Sequence, residues 1–550
     1  MKGESVPRVV VFGMDGADPD LIFPWARAGY LPNIARLMRE GAFGRLESTT
    51  HPLTPQAWTS MTTGVNPGRH GIFDFGMRED GSYAIRLATS RDRLAPTMFE
   101  MLPEPLTCAA LNIPLSFPVD PVRGYAVGGM HTPALDTPGA FYPPDLAHAL
   151  DGYVIDTMVH WYDDKDRFVA DVRSMLEARH AAYLRLFDHR PVDLFFAVYV
   201  ALDRVQHAFW HELTADHRAN PGTHTDHGEA IFDIARRLDG CLGDYMERLR
   251  PEDHLLLVSD HGFGDLQGDV YLNAWLVDNG FLSFDPQKVR AFQPPPLPEG
   301  DDPRHAWHRK LHRGDPTPLP NDDDIRAGRI DPRYKTWDTV DWTRTRAYAS
   351  GLFGNLWINL RGREPHGAVD PGREYEEVRD DLLGRLSELR HPEDGEPLVT
   401  MAARREDLYW GRALERAPDI IVAFRDYAYM TRGATEFFSG DVVGPVVVGH
   451  TGNHRLHGIV GLRGPAARRG EAKDSSITQI AATALHLLGA PVPANLDGGV
   501  AENLLHDDFL KTRPVIPGPA AAARTPFDPA AASPDMTRVL ERLEGLGYLV

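Results

Sequence analysis

A chain of 550 residues with 42% hydrophobic side chains can bury a substantial core, and it is long enough for one large α/β unit with insertions. Its 58 basic and 78 acidic residues leave a formal net charge of -20, which repels polyanions over most of the exterior. Nucleic acid and anionic membrane surfaces are therefore not expected partners. The two cysteines, Cys108 and Cys241, are too few and too isolated for a disulfide framework or a cysteine-based metal site, which fits a cytoplasmic chain.

The first element is the run Val9-Val10-Val11-Phe12-Gly13-Met14, β-branched and apolar, which stops at Asp15-Gly16. Such a run suits a strand buried on both faces of a parallel sheet, and α/β folds place ligands at the carboxyl ends of such strands. It is too short for a signal peptide or a spanning helix, and no other segment reaches the roughly 20 apolar residues of a membrane span, so a soluble, unexported chain is expected. Asp15 reads either as a ligand or as the cap of the next helix. Residues 32–39 carry Ile34, Leu37 and Met38 at helical spacing.

The stretch LTPQAWTSMTTGVNPGRHGIFDF, residues 53–75, follows. Pro55 suits a first helical turn, so Thr54 stands at a helix N-terminus, where its hydroxyl either caps the helix or faces an anionic substrate. Buried-strand runs recur at residues 194–200 and 255–258. The first leads to Asp203-Arg204-Val205-Gln206-His207, in which a carboxylate and an imidazole four residues apart share one helical face. Asp203 could equally be a helix N-cap. The second leads to SDHGFGD, where Asp260 and His261 read either as oxygen and nitrogen ligands or as parts of a glycine-bent turn. Three strands that deliver carboxylates at their carboxyl ends argue for one shared site.

Residues 286–342 are proline-rich and charged, as in QPPPLPEGDDP and PLPNDDD, and predict a surface insertion or lid. Core-like text resumes with TRAYASGLFGNLWINL, DIIVAF and PVVVG. HTGNHRLHG, residues 450–458, brings three histidines, and spacing alone leaves open which of them is a ligand. VIPGPAAAARTPFDPAAASP predicts a flexible linker, and Val539, Leu540, Leu543 and Leu546 predict a short helix that docks back on the body. The expected division is residues 1–275 for the first part of the core, 276–345 for the insertion, 346–510 for the rest of the core, 511–534 for the linker and 535–550 for the docking helix. Together the aspartates and histidines are enough for two adjacent ions. A pair of that kind stabilises both the attacking and the leaving oxygen of a displacement.

The pieces FGMDG, TPQAWTSMTTGVNPGRHGIFDF, ALDRVQHAFWH, VSDHGFG and GNHRLHGIVGLRGP, in this order, resemble the alkaline phosphatase superfamily. Within it they are most similar to the type I phosphodiesterase and nucleotide pyrophosphatase group. SSITQIAATALHLLGAPVPANLDG and the terminal LGYL are similar as well. The resemblance implies a three-layer α/β/α sandwich with a mostly parallel central sheet and an inserted lid. It implies two divalent ions, zinc by analogy, with manganese or iron also suited to O and N donors. Asp15, Thr54, Asp260 and His261 would surround one ion, and Asp203, His207 and His454 the other. His454 is preferred to His450 and His457 because Gly452-Asn453-His454 looks like the family's Gly-Thr-His, from which Asn453 departs.

The resemblance also makes Thr54 the nucleophile, its hydroxyl activated by direct coordination. The implied activity is hydrolysis of a small-molecule phosphate ester through a phosphothreonine-type intermediate. A phosphomutase or phosphotransferase of the same superfamily and a non-catalytic phosphate-ligand binding protein are the alternatives. The Cys/Ser-x-Pro-x-Arg motif of sulfatases is missing from Thr54-Pro55-Gln56-Ala57-Trp58. Phe73-Asp74-Phe75 departs from the pyrophosphatases, which carry an asparagine shortly after His-Gly-Ile. Arg69 and Arg455 are candidates to face the phosphate, and neither can be placed from sequence.

Overall fold

The computed structural model of the chain describes residues 8–158, 161, 164–213, 227, 229–293, 319–431, 441–446, 449–525 and 535–546. The expected strand runs become the centre of a nine-stranded sheet. In chain order its strands are β1 (Val9–Met14), β2 (Ala42–Glu47), β3 (Cys108–Ile113), β4 (Gly124–Gly128), β5 (Phe141–Tyr142), β6 (Leu194–Tyr199), β7 (His254–Val258), β8 (His457–Arg463) and β9 (Gly470–Ser476). They lie in the order β9-β2-β8-β7-β1-β6-β3-β4-β5. β7, β1, β6, β3 and β4 run parallel, with Val9 opposite both Leu194 and His254. β8 is antiparallel to β7 and to β2, and β5 closes the other edge antiparallel to β4.

The parallel centre follows from composition. β1, β6 and β7 are buried at every position, which continuous Val, Leu and Phe runs allow only where helices cover both faces. Helices Pro19–Arg27, Pro32–Glu40, Lys165–His189, Ala201–Phe209 and Ala230–Arg248 pack with one another on one face, whereas Thr54–Thr63 packs with Met98–Met101 and Gln479–Leu487 on the other. The sandwich is therefore three-layered. Gly13 is required where the layers meet, because a Cβ there would stand 2.7 Å from the Trp58 ring.

A second sheet takes strands from residues 268–270, 347–358, 399–404, 420–431 and 443–444, over a hydrophobic core of its own. Part of the expected insertion, residues 294–318, lies outside the described residues. Its described flanks belong to this second core: Phe284, Val289, Ile325, Ile330, Val340 and Trp342 are all buried there. Sparse apolar residues among prolines and carboxylates conceal this role in the sequence. TRAYASGLFGNLWINL and DIIVAF supply strands of this sheet, two residues of PVVVG lie outside the described residues, and β8 and β9 return to the first sheet.

The segment read as a linker is tied down as far as it is described. Pro517–Gly518 pairs with Val492–Pro493, and Arg524 donates to both Asp120 carboxylate oxygens at 2.8 and 2.9 Å. Residues 526–534 lie outside the described residues. The last described helix, Thr537–Gly545, buries Val539 and Leu543, while Leu540 is 40% exposed. None of the described helices is long and apolar enough to cross a membrane.

Candidate active site

The carboxyl ends of β1, β6 and β7 converge. Asp15 follows β1 directly, and its backbone N–H donates to Tyr199 O at the end of β6. It does not cap the next helix; Asp18 does, accepting from Asp20 N at 2.9 Å and Leu21 N at 3.2 Å. Gly16 N donates to Asp260 Oδ1 at 3.3 Å, which locks the ends of β1 and β7 together. Trp58 Nε1 donates to Asp15 Oδ2 at 2.9 Å and leaves Oδ1 turned toward His261 Nε2, 3.6 Å away. His261 Nε2 also lies 3.2 Å from Asp260 Oδ2 and 3.3 Å from Thr54 Oγ1. Asp15, Asp260, His261 and Thr54 form the first cluster.

Thr54 opens the helix Thr54–Thr63, whose N-cap position is Leu53 with no side-chain bond to the free N–H groups. The cap reading of Thr54 therefore fails. Its hydroxyl faces the cluster at the positive end of that helix, where an anion is favoured.

The second cluster joins Asp203 and His207, one turn apart on Ala201–Phe209, to His454. His207 Nε2 is 3.4 Å from Asp203 Oδ1 and 3.0 Å from His454 Nε2, and His454 Nε2 is 3.4 Å from Asp203 Oδ1. His454 comes from strand Gly452–Arg455, which pairs with Gly262–Asp265 and so lies beside the His261 loop. The rings of His261 and His454 stack with centroids 3.6 Å apart, so the two clusters share a wall. His450 is turned elsewhere, with its Nε2 donating to Leu546 O at 2.8 Å, and His457 lies on β8 opposite Glu47.

All three clustered histidines donate Nδ1–H to a backbone carbonyl: His207 to Gly452 O at 3.0 Å, His261 to Gly262 O at 3.0 Å and His454 to Pro52 O at 2.7 Å. Each therefore presents the Nε2 lone pair inward, the usual arrangement for a metal-binding imidazole. Two such lone pairs at 3.0 Å, with Asp15 Oδ1 and Asp260 Oδ2 buried and accepting no hydrogen bond, form an arrangement that a cation satisfies. An ion with bonds of about 2.0–2.2 Å in tetrahedral geometry spaces its donors about 3.3–3.6 Å apart, close to the separations here. The donors fit a divalent ion.

The electrostatics of the two clusters differ. Burial, reinforced by the charge of Asp203, holds Asp15 well above the usual carboxylate range. Asp260 is raised in the same way, by burial and then by Asp15 and Asp203. Burial acts on Asp203 too, but His207, His454 and Arg204 overcome it and hold this carboxyl well below the usual range. Arg204 Nη1 donates to Asp203 Oδ2 at 2.5 Å, and its Nη2 donates to buried Asp156 at 2.8 Å. Burial depresses His261 strongly and His454 as well, which keeps both neutral.

The second sheet closes the site from outside the sandwich. Asn355 Oδ1 meets His51 Nε2 at 3.1 Å, and the Phe353 ring lies against both His51 and His454. Tyr409 and Gln56 both donate to Thr50 O, which fixes the loop that leads to Thr54. Sequence reasoning missed Trp58, Arg204, Asp156 and Asn355. Trp58 lies inside the quoted threonine stretch, and Arg204 is inside the Asp-x-x-x-His span. Asp156 and Asn355 leave no local signal. The two candidate arginines are spent on the protein itself: Arg69 on Asn495 O and Asp497, and Arg455 on the carbonyls of Asp265, Tyr427 and His454.

A three-layer sandwich with carboxylates and histidines gathered at parallel strand ends belongs to the alkaline-phosphatase-like fold class. The chain is similar in fold to phosphonoacetate hydrolase from Sinorhizobium meliloti 1021 in complex with phosphonoformate: 15% identity over 88% of this chain and 96% of that one, TM-score 0.53. It also matches murine ectonucleotide pyrophosphatase/phosphodiesterase 5, in an inactive form with AMP, at 15% identity over 91% and 100% of the two chains, TM-score 0.49. No curated protein sequence matches the chain. Residues 9–454 match the type I phosphodiesterase/nucleotide pyrophosphatase family, and the chain belongs to it. It is a phosphoric ester hydrolase of a metal-dependent family.

Proposed function

We propose that the chain hydrolyses a small-molecule phosphate ester in two displacements, with Thr54 as the nucleophile. The observation that carries this reading is the Thr54 hydroxyl, free of any capping role and 3.3 Å from His261 Nε2 at the positive end of its helix. Asp15, Asp260, His261 and Thr54 would hold one divalent ion, and Asp203, His207 and His454 the other. Zinc suits this mixture of imidazole and carboxylate, and manganese or iron also fit. When bound, the two ions supply the charge that lowers the proton affinity of the threonine hydroxyl and offsets the charge on the attacking and leaving oxygens.

The chain's own groups do the rest. Thr54 Oγ1 forms a bond to phosphorus as the ester P–O bond breaks and the alcohol departs with a proton. Water then attacks the phosphothreonine, its P–O bond to Thr54 breaks, and free phosphate (from a monoester) or a phosphate monoester (from a diester) leaves while the hydroxyl regains a proton. The free N–H groups at the start of Thr54–Thr63 face the phosphoryl oxygens, and the His51, Phe353 and His454 wall limits access of bulk water. We also assign the leaving group to the side of the site where Asn355 and Phe353 meet His51.

The test is hydrolysis of p-nitrophenyl phosphate and bis-p-nitrophenyl phosphate by zinc- or manganese-loaded protein, alongside Thr54→Ala. Metal-dependent turnover lost in the variant supports the reading, and the preferred ester separates phosphatase from phosphodiesterase. A chiral phosphorothioate should react with retention at phosphorus. Inversion would eliminate the covalent intermediate.

A further inference from the structure

The last described helix, with Leu546 just after it, reaches the second cluster by two separate routes. In the first, His450 Nε2 donates to Leu546 O at 2.8 Å. The same imidazole is sandwiched between His207, at 4.6 Å between ring centroids, and Trp161, at 4.9 Å. In the second, Arg542, only 5% exposed, donates from Nη1 to Met130 O at 2.6 Å and Thr132 O at 3.0 Å. The Met130 sulfur lies 3.8 Å from Arg204 Nη2, and Arg204 is the residue that holds Asp203 Oδ2 and Asp156. Val539, Leu543 and Leu546 are buried in the main core between these contacts.

We infer that this helix positions the ligands of one ion: His450 and Arg542 are positioning residues that set the ring of His207 and the carboxylate of Asp203. The inference rests on the proposal that Asp203, His207 and His454 hold an ion. The physical reason is geometric. His207 has its Nδ1 direction set by Gly452 O and meets the Phe263 ring edge-on at 4.8 Å between centroids, while His450 is stacked on its face and bears on the tilt of its plane. That flat neighbour is itself stacked on Trp161 and bonded through Nε2 to the carbonyl of Leu546, the residue after the helix, so it holds the tilt of the His207 ring. Groups that orient a metal-binding imidazole are worth about 10–100-fold in metal affinity. The first cluster has no contact of this kind with the helix among the described residues, so the effect falls on one ion of two.

The experiment is calorimetric titration of Zn2+ into the full-length metal-free chain, with metal-free thermal unfolding recorded in parallel. Wild type should take two ions. His450→Phe keeps the ring stack but loses the bond to Leu546, and Arg542→Met loses the carbonyl contacts. Each should weaken one ion about tenfold or more and leave the other unchanged. His450→Gln, which keeps an N–H donor but loses the stacked ring, should weaken that ion as well. In a His207→Ala background His450→Phe should add nothing, because that ion is already lost. A chain ending at residue 534 lacks Arg542 and Leu546 alike and should weaken that ion at least as much as either point variant, and if it does not fold, the point variants carry the test. Variants that lower the metal-free unfolding temperature yet keep both affinities at the wild-type value would overturn the inference and leave the helix a purely structural element. Wild-type protein that takes up no ion would overturn the site reading itself, and the two failures are thus told apart.

Discussion

The two clusters at the strand ends hold similar side chains but neutralise their charge differently. Asp203 has a counter-charge built into the chain, Arg204, anchored in turn by Asp156. Asp15 and Asp260 have none within the first cluster; Asp15 accepts from Trp58 and Asp260 from backbone N–H groups such as that of Gly16, and burial together with the charge of Asp203 holds both carboxyls high. One cluster therefore carries its own positive side chain, and the other, as folded, takes up protons in place of one. A buried carboxylate pair without a counter-charge is costly, and such a cost is tolerated where function uses it.

The largest expected effect lies in the first cluster. Thr54→Ala should lower kcat for a nitrophenyl ester about a thousandfold or more while metal content, read by elemental analysis, stays at the wild-type level. Loss of metal together with activity would mean that Thr54 serves mainly as a ligand.

Arg204→Met tests the second cluster. It strips the counter-charge from two buried carboxylates, and breaking such a pair costs about 3–5 kcal/mol, which denaturant unfolding of metal-free protein should register. Asp260→Asn should do the reverse in the first cluster: it removes a repelling charge, so metal-free protein should gain about 1 kcal/mol while losing affinity for one ion. A destabilised Asp260→Asn protein would break the contrast drawn between the clusters.

The pH dependence sharpens the same contrast. Asp15 and Asp260 have folded pKa values above their unfolded ones, so the folded, metal-free chain binds more protons than the unfolded chain. Their contribution to stability is full below the ordinary carboxylate range and is lost as pH rises through the raised folded values. A bound ion must displace those protons, so it gains affinity as pH rises. The increase in unfolding temperature on adding zinc should therefore be larger at pH 8 than at pH 5.5, and calorimetry in buffers of different ionisation enthalpy should detect protons released on binding. A zinc-induced increase that is the same at both pH values would contradict the raised carboxyls.

The smallest effect is expected at Trp58→Phe, which keeps the ring against Gly13 but removes the donor to Asp15 Oδ2. Metal affinity at the first cluster should fall about tenfold, with the second cluster unchanged.

The part of this arrangement that lies along single strands and turns was legible in the chain. Continuous apolar runs specify β1, β6 and β7, and a polar residue at the end of each marks the site. Asp203 and His207 could be paired from the four-residue period of a helix. Asp15 could not be separated from a helix cap by sequence, because Asp18, three residues on, has the same chemistry and takes that role. The second sheet was concealed because its strands are short and separated by proline-rich, charged text, so no period betrays the burial of Val289, Ile325 or Trp342. The resemblance to a family selected His454 from three neighbouring histidines. The physical reason became visible only when strand Gly452–Arg455 was seen paired beside the His261 loop.

By itself the sequence determined which side chains stand at the ends of the parallel strands, because hydrophobic runs bury themselves and push their polar termini to one edge. The tertiary structure alone decided how those side chains are oriented and balanced: Trp58 on Asp15, Arg204 and Asp156 on Asp203, and the remote carbonyls of Gly452 on His207 and Pro52 on His454. These contacts join residues up to about 400 positions apart, so no local pattern encodes them, and they form only when the layers pack.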